Sequence, residues 1–295
     1  MAGAVLVTGA DGFVGRHLMA QLGPGAMASS ADVTDAVAVR EAVAAAAPSA
    51  VVHLAALASV AQSWGSASAV WRVNALGTVH LLDAVRRESP GARVLVVSTA
   101  EVYGRAADRA VEDAAPAPVS PYAAAKTAAE VACGQAVRAD GLDVVVARPY
   151  AHIGPGQDER FAVGSWTRQL ARLERAGGGA LLVGDLTAER DLTDVRDVCR
   201  AYAALLDPAV PAGIYNVASG TVVTMQHVVD RLVALARVPV EVQRDPARLR
   251  PSDIPRLAGD PARLRAATGW EPQIALDTTL ADALEAARGV PEEAP

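Results

Sequence analysis

The chain has 295 residues, 52% hydrophobic but only 4% aromatic, with a formal net charge of −6. That length accommodates one average domain plus a smaller appendage around a buried core. The acidic balance, with no basic stripe, excludes nucleic acid and anionic membrane as expected partners. Two cysteines, Cys133 and Cys199, sit in Ala-rich helical contexts, and five histidines are scattered. Both features predict a reduced, cytoplasmic protein with neither disulfide nor metal centre.

The N-terminus enters a strand directly, with no basic segment ahead of an apolar stretch, so no signal peptide is expected. No run approaches the roughly 18 apolar residues that span a bilayer. In chain order, AVLVT (4–8) predicts a strand, followed by a helix from about Phe13 to Leu22. A second strand ends near Ala28–Ser30, and a helix follows from about Ala36 to Ala47. AVVHLAA (50–56) is the next strand, then a helix from about Ala69 to Arg87. RVLVVS (93–98), a helix from about Tyr122 to Ala139 and LDVVVARP (142–149) complete the series. This repeated βα alternation predicts an α/β fold: a doubly wound parallel sheet with helices on both faces.

After Arg148-Pro149 the pattern becomes less periodic and richer in Pro, Gly and Arg. A helix near Asp194–Leu206 and the strand GIYNVAS (213–219) read as a return to the sheet. The expected division is therefore 1–150 plus about 188–235 for the large domain. About 151–187 and 236–295 form a smaller C-terminal α/β domain over its edge.

VTGADGFVG (7–15) places a glycine-rich turn between the first strand and the first helix. Gly9, Gly12 and Gly15 allow a tight turn, close approach to a pyrophosphate and packing of helix on strand. The helix N-terminus adds free N–H groups and positive partial charge. Asp11, Phe13 and Val14 belong to the same turn. No acid stands at the end of the second strand, where Ala28, Ser29 and Ser30 occur, so no carboxylate repels a 2′-phosphate. NADP(H) is thus favoured over NAD(H), although no Arg is nearby. Asp32 with Val33 is placed at the adenine, with a helix N-cap as the alternative role for Asp32 or Asp35.

PYAAAK (121–126) puts Tyr122 and Lys126 on one helical face. A lysine ammonium beside a phenol favours phenolate and lowers its pKa, which suits proton exchange with a carbinol–carbonyl pair. In STAEVYG (98–104), at a strand's carboxyl end, Thr99 becomes the third member, hydrogen-bonding the same substrate oxygen. Glu101 adds a carboxylate whose role separates two chemistries.

These motifs, with HLAA (53–56), Asn74 in VNALGTVHLL, ARPYAHIGPGQ, ERDLTDVRDVCRAY (189–202), YNVASG (215–220) and LRPSDIPRLAGDPARLRAATGWEP (249–272), carry a resemblance. Over nearly its whole length the chain resembles the extended short-chain dehydrogenase/reductase family, in its GDP-mannose branch. The resemblance implies a Rossmann domain for the cofactor and a second domain over the nucleotide-sugar. It implies catalytic roles for Thr99, Tyr122 and Lys126, with Glu101 where dehydratases keep a base. Leu54, Ala55, Ala56 and Pro149 would join the glycine turn in lining the cofactor. Arg190 and Arg250 would meet the sugar nucleotide, a surface salt bridge being the alternative for each. Arg148 would be a substrate contact or a structural residue. The family usually has Asn where this chain has Ala151, which leaves the sugar contacts there open.

The resulting expectation is NAD(P)H-dependent reduction of a 4-keto-6-deoxy sugar nucleotide, GDP-4-keto-6-deoxy-D-mannose giving GDP-D-rhamnose. The alternative is 4,6-dehydration with Glu101 as the base. An epimerase and a non-catalytic dinucleotide-binding regulator are further alternatives. Ala-rich faces on helices 70–87 and 122–139, together with the resemblance, predict a homodimer.

Overall fold

Every residue of β1 (Val5–Thr8) is buried, as a strand covered on both faces requires. The computed structural model describes residues 3–105, 109–249 and 254–291. From β1 the chain runs through α1 (Phe13–Leu22), β2 (Ala26–Ser29), α2 (Ala36–Ala46) and β3 (Ala50–His53). Two short helices, α3 (Val60–Ser63) and α4 (Ala67–Val70), enter a π-helical turn (Trp71–Leu76) that continues into α5 (Gly77–Glu88). β4 (Arg93–Val97), α6 (Pro121–Asp140) and β5 (Val144–Pro149) complete the first half. The second half contains β6 (Ala151–Ile153), α7 (Ala162–Ala176), β7 (Gly179–Val183), β8 (Glu189–Asp194), α8 (Val195–Leu205) and β9 (Gly213–Val217). It ends with β10 (Val222–Thr224), α9 (Met225–Ala234), β11 (Val240–Arg244), β12 (Arg256–Leu257), α10 (Ala262–Thr268) and α11 (Leu276–Arg288).

The large sheet has six parallel strands in the order β2-β1-β3-β4-β5-β9. On one face Leu18, Val52, Val198 and Tyr202 form a core with α1 and α8. On the other, Val43, Val51, Leu81, Val85 and Ala136 form a core with α2, α5 and α6. This is the doubly wound Rossmann arrangement expected from the βα alternation. The chain steps outward from β1 to β2 and then returns past it to β3. The loops after β1 and β3 therefore diverge and leave a crevice at the carboxyl ends of those strands.

Two features differ from the sequence pattern. The helix expected from about Ala69 is interrupted by the π-helical turn, where Asn74 is buried. Its side-chain amide accepts from Leu57 N (2.9 Å) and donates to Leu57 O (3.1 Å). The wider turn seats a side chain that an apolar period does not register. The second concerns residues 188–235, of which α8 and β9 join the large unit. β8 instead pairs with β6, β10 and β12, and α9 packs in a separate core around Leu170, Leu181, Val228 and Leu280. Asp191 of β8, fully buried, is satisfied by the Ser219 N–H and hydroxyl and the Gly220 N–H, which ties this smaller sheet to the end of β9.

Candidate active site

The glycine turn lies in the crevice between β1 and β3. Gly9 has φ +70°, and a Cβ there would stand 2.7 Å from Ala55 N, so glycine is required by conformation and by space. A Cβ at Gly15 would meet Gly9 O at 2.3 Å, because α1 begins directly against the turn. Gly12 caps α1 without any side-chain hydrogen bond, and the first turn contains no acid. The first amides of α1 therefore have no side-chain competitor for an anion. This cradle fits a dinucleotide pyrophosphate.

The adjoining residues are arranged around it. Asp11 is exposed, and its carbonyl accepts from the Arg16 guanidinium at 2.6 Å. Phe13 stacks on His152 with ring centroids 6.2 Å apart, and the Pro155 carbonyl lies 2.9 Å from His17 Nε2. The GPG segment after β6 is thereby docked on α1, beside half-buried Val14. Leu54 N donates to Thr8 O, Ala55 N donates to the Thr8 hydroxyl, and Ala56 follows, half-buried. Asp35, rather than Asp32, caps α2, accepting from Val37 N and Ala38 N. Asp32 is exposed and accepts from Thr34 N (2.9 Å) and the Thr34 hydroxyl (2.8 Å). Val33 is buried beneath Gly77, and its carbonyl lies 2.9 Å from His80 Nδ1.

Beyond the turn, α6 presents Tyr122 and Lys126 to the end of β4, both buried. Ser120 caps this helix by accepting from Ala123 N, and Pro121 opens it, so the phenol projects from its first turn. The Thr99 side chain lies near enough to the Tyr122 phenol to favour its ionised form, and its hydroxyl accepts from Glu101 N at 3.2 Å. The Lys126 ammonium donates to the Val97 carbonyl at 2.7 Å. Glu101, half-buried in the short 3-10 helix Ala100–Tyr103, faces the phenol closely enough for its charge to act on it. Thr99, Glu101, Tyr122 and Lys126 thus converge on one spot.

Their electrostatics differ from the sequence-based expectation in one respect. Burial pushes the Tyr122 phenol up to about 12; the Thr99 side chain opposes that rise and the Glu101 charge adds to it. Lys126 does not reverse the direction, since its ammonium is turned to the Val97 carbonyl and is itself desolvated. Burial lowers Lys126 to about 8, against the influence of Cys133 and Glu130, which favour its charged form. A neutral phenol beside a hydroxyl and a cation is equipped to donate a proton to an oxygen gaining negative charge.

The arginines expected at a sugar nucleotide have different fates. Arg148 is 2% exposed, and its guanidinium donates to Glu130 at 2.6 Å and to the Glu112 carbonyl at 3.1 Å. It also lies over the Tyr103 ring, 4.8 Å from the centroid. A cation so desolvated, with its guanidinium engaged by carboxylate, carbonyl and ring, is a buried structural residue and not a substrate contact. Arg190 lies half-buried in β8 and donates to the carbonyls of Glu189 (2.9 Å) and Pro255 (3.4 Å). Arg250 lies outside the described residues. Pro149 is buried at the end of β5, and half-buried Ala151 pairs with Leu192 across β6 and β8.

Two participants escaped the sequence reading. His53, 1% exposed, shares a hydrogen bond of 2.8 Å between Nδ1 and the Thr8 hydroxyl, while its Nε2 has no partner. Glu130 continues the spacing of Tyr122 and Lys126 by another four residues and is buried with them. One available signal was composition: Lys126 is the single lysine of the chain. Every other Lys/Arg position of the chain is an arginine, whose charge is fixed, whereas the ammonium of Lys126, one helical turn from a phenol, can change its charge. Among the described residues no group of three His, Cys, Asp or Glu side chains could hold a metal, and no helix is long and apolar enough to cross a membrane.

The model of the family described as GDP-mannose 4,6 dehydratase matches residues 26–283. A similar protein is GDP-6-deoxy-D-mannose reductase of Pseudomonas aeruginosa, 36% identical over 300 residues that span 95% of each chain. UDP-glucose 4-epimerase of Mycolicibacterium smegmatis is 32% identical, covering 81% of this chain and 75% of that one. Among solved structures, RMD from Pseudomonas aeruginosa complexed with NADPH superposes with a TM-score of 0.89 at 34% identity, covering 97% of this chain and 99% of that one. The UDP-glucose 4-epimerase of Thermus thermophilus, in complex with NAD, does so with a TM-score of 0.86 at 30% identity, over 97% and 99%. Glycine turn, Thr–Tyr–Lys cluster and these likenesses agree: the chain belongs to the GDP-mannose 4,6-dehydratase family, within the extended short-chain dehydrogenases/reductases that act on nucleotide sugars.

Proposed function

We propose that the protein reduces the C4 ketone of GDP-4-keto-6-deoxy-D-mannose with NADPH, forming GDP-D-rhamnose. The observation that carries this reading is the buried Tyr122 phenol, held neutral against the Thr99 hydroxyl with Lys126 one turn away. The choice of sugar nucleotide is supported by the near full-length similarity to GDP-6-deoxy-D-mannose reductase. When bound, the nicotinamide supplies the hydride that carbonyl reduction requires. The amides after Gly9 and at the start of α1 bind the cofactor pyrophosphate. The Thr99 hydroxyl donates a hydrogen bond to the sugar's C4 oxygen and orients it. Tyr122 Oη gives its proton to that oxygen as negative charge develops, and Lys126 stabilises the phenolate left behind. Arg190 and Arg250 remain candidates for the diphosphate or ribose.

The alternative, 4,6-dehydration, requires a base for the C5 proton once C4 is a ketone. Glu101 occupies that neighbourhood, but Ala100 stands beside it where some dehydratases carry an acid. Preference for NADPH is supported by the uncharged Ser29 and Ser30 at the end of β2 and by the NADPH-bound relative. Exposed Trp71, Leu76 and Val79 before and on α5, with Val131 on α6, 66% exposed, support a homodimer built on these helices. Incubation with GDP-mannose alone, and with its 4-keto-6-deoxy derivative plus NADPH, tests the proposal by product mass. Gain of two hydrogens by the keto sugar is expected; loss of water from GDP-mannose overturns it.

A further inference from the structure

Three successive residues at the end of β4 are each tied to the same face of α6. The Val97 carbonyl accepts from Lys126 at 2.7 Å, the Ser98 hydroxyl donates to Glu130, and the Thr99 side chain lies beside the Tyr122 phenol. Tyr122, Lys126 and Glu130 succeed one another at intervals of four, so one helical face carries all three. The Glu130 side chain is only 7% exposed and serves two strands at once. Beyond Ser98, it accepts from Arg148 Nε at 3.0 Å and Nη2 at 2.6 Å, and Arg148 immediately precedes Pro149 at the end of β5. The strand ends are themselves joined, since Ser98 N donates to Ala147 O at 2.8 Å.

We propose that Glu130 is a positioning residue for the reduction. Its carboxylate locks α6 to the ends of β4 and β5, so that Thr99 and Tyr122 address one substrate oxygen while Lys126 keeps its proton. A carboxylate shared between a serine hydroxyl and a guanidinium has little freedom to rotate, and each bond fixes the next. The chain must also keep the ammonium charged in a site that strips it of water. The titratable groups coupled to it are Glu130 and Cys133 on its own helix and His53 from β3, while Glu101 acts on the Tyr122 phenol and Arg148 is engaged by Glu130 itself. Burial holds His53 and Cys133 neutral at pH 8, and Glu130 is one of the groups favouring the charged form of Lys126.

The single lysine permits a direct test. In protein grown with [13C]lysine, the one ε-carbon resonance reports the Lys126 midpoint without substrate, in the complete chain. The wild-type midpoint is expected near pH 8. Glu130→Gln should lower it by about one unit, because an opposite charge has left its neighbourhood. Ser98→Ala, which retains the Glu130–Arg148 pair, should lower kcat for the keto sugar roughly tenfold with KM unchanged. Should Glu130→Gln fail to fold, Glu130→Leu with Arg148→Leu removes both buried charges together and keeps an apolar fill. In that folded double variant the two lost charges oppose each other at Lys126, so its readout is kcat, which should remain reduced. Glu130→Gln with the wild-type midpoint, or Ser98→Ala or the folded double variant with the wild-type kcat, overturns the inference. The kcat arm rests on the proposed reduction, whereas the lysine midpoint does not. A lowered midpoint in a protein that reduces no keto sugar therefore supports the role of Glu130 and rejects the substrate assignment.

Discussion

His53 makes the folded state sensitive to acid in a calculable way. The imidazole sits at the end of β3 with Nδ1 bonded to the Thr8 hydroxyl and Nε2 unpartnered. Burial, and then the charge of Lys126, depress its pKa from 6.5 to about 3. Between those two values the unfolded chain holds a proton on this residue that the folded chain does not. Stability from His53 is therefore complete above pH 6.5 and is lost progressively as pH falls toward 3. At pH 5 the deficit is about 1.5 units at about 1.4 kcal/mol each, or about 2 kcal/mol. His53→Asn retains a group able to bond Thr8 and removes the titration. It loses about 1–3 kcal/mol at every pH through the missing ring volume. Urea denaturation of both proteins at pH 7 and pH 5 should show the wild type losing about 2 kcal/mol more than the variant over that interval. His152, also lowered by burial, titrates in both proteins and cancels in the comparison. Parallel losses in the two proteins would refute the assignment of a buried, neutral His53.

Three other substitutions address the site itself. Gly15→Ala forces a methyl against Gly9 O and Ala10 O, both backbone atoms. Cofactor affinity, measured by fluorescence titration with NADPH, should fall at least tenfold, with stability reduced by about 1–3 kcal/mol. Tyr122→Phe removes the proton donor while leaving the ring that packs against Val70 and Ala125. Ketone reduction should drop by about 10²–10⁴ with NADPH binding retained, and a fully active variant would eliminate Tyr122 as the acid. Glu101→Gln should leave reduction within a few-fold of wild type. Collapse of turnover in that folded variant would instead indicate elimination chemistry.

The alternation of β-branched runs with Ala-rich helical stretches was sufficient to read the parallel sheet, because a strand buried on both faces must be apolar throughout. The glycine turn was equally legible, since the positive φ of Gly9 and the contact of Gly15 with Gly9 O are limits acting within a few residues, even though Ala55 adds a distant one at Gly9. Tyr122 and Lys126 were legible through their spacing. Arg148 was not: beside a proline at a strand end, it has the same local sequence whether it meets a ligand or a buried carboxylate. Only the packing of α6 against β5 brings Glu130 to it. Within residues 188–235, α8 and β9 were legible, but the place of β8 was not, for a related reason. β8 is ERDLTD, with four charged residues in six, and its membership of the smaller sheet depends on β6 and β12, which lie far from it in the chain.

Local chemistry thus determined the elements, the cofactor turn and the reactive pair, all of which depend on neighbours within one turn or one strand. The tertiary structure decided the charge states. Burial, which no short window of sequence records, raises the phenol of Tyr122, lowers the ammonium of Lys126 and keeps His53 neutral. It also decided which carboxylates matter: Glu130 becomes the common partner of β4 and β5 because one helix crosses both strand ends. Desolvation and long-range pairing are properties of the assembled fold, and they convert a Tyr–Lys spacing into a site with a defined proton donor.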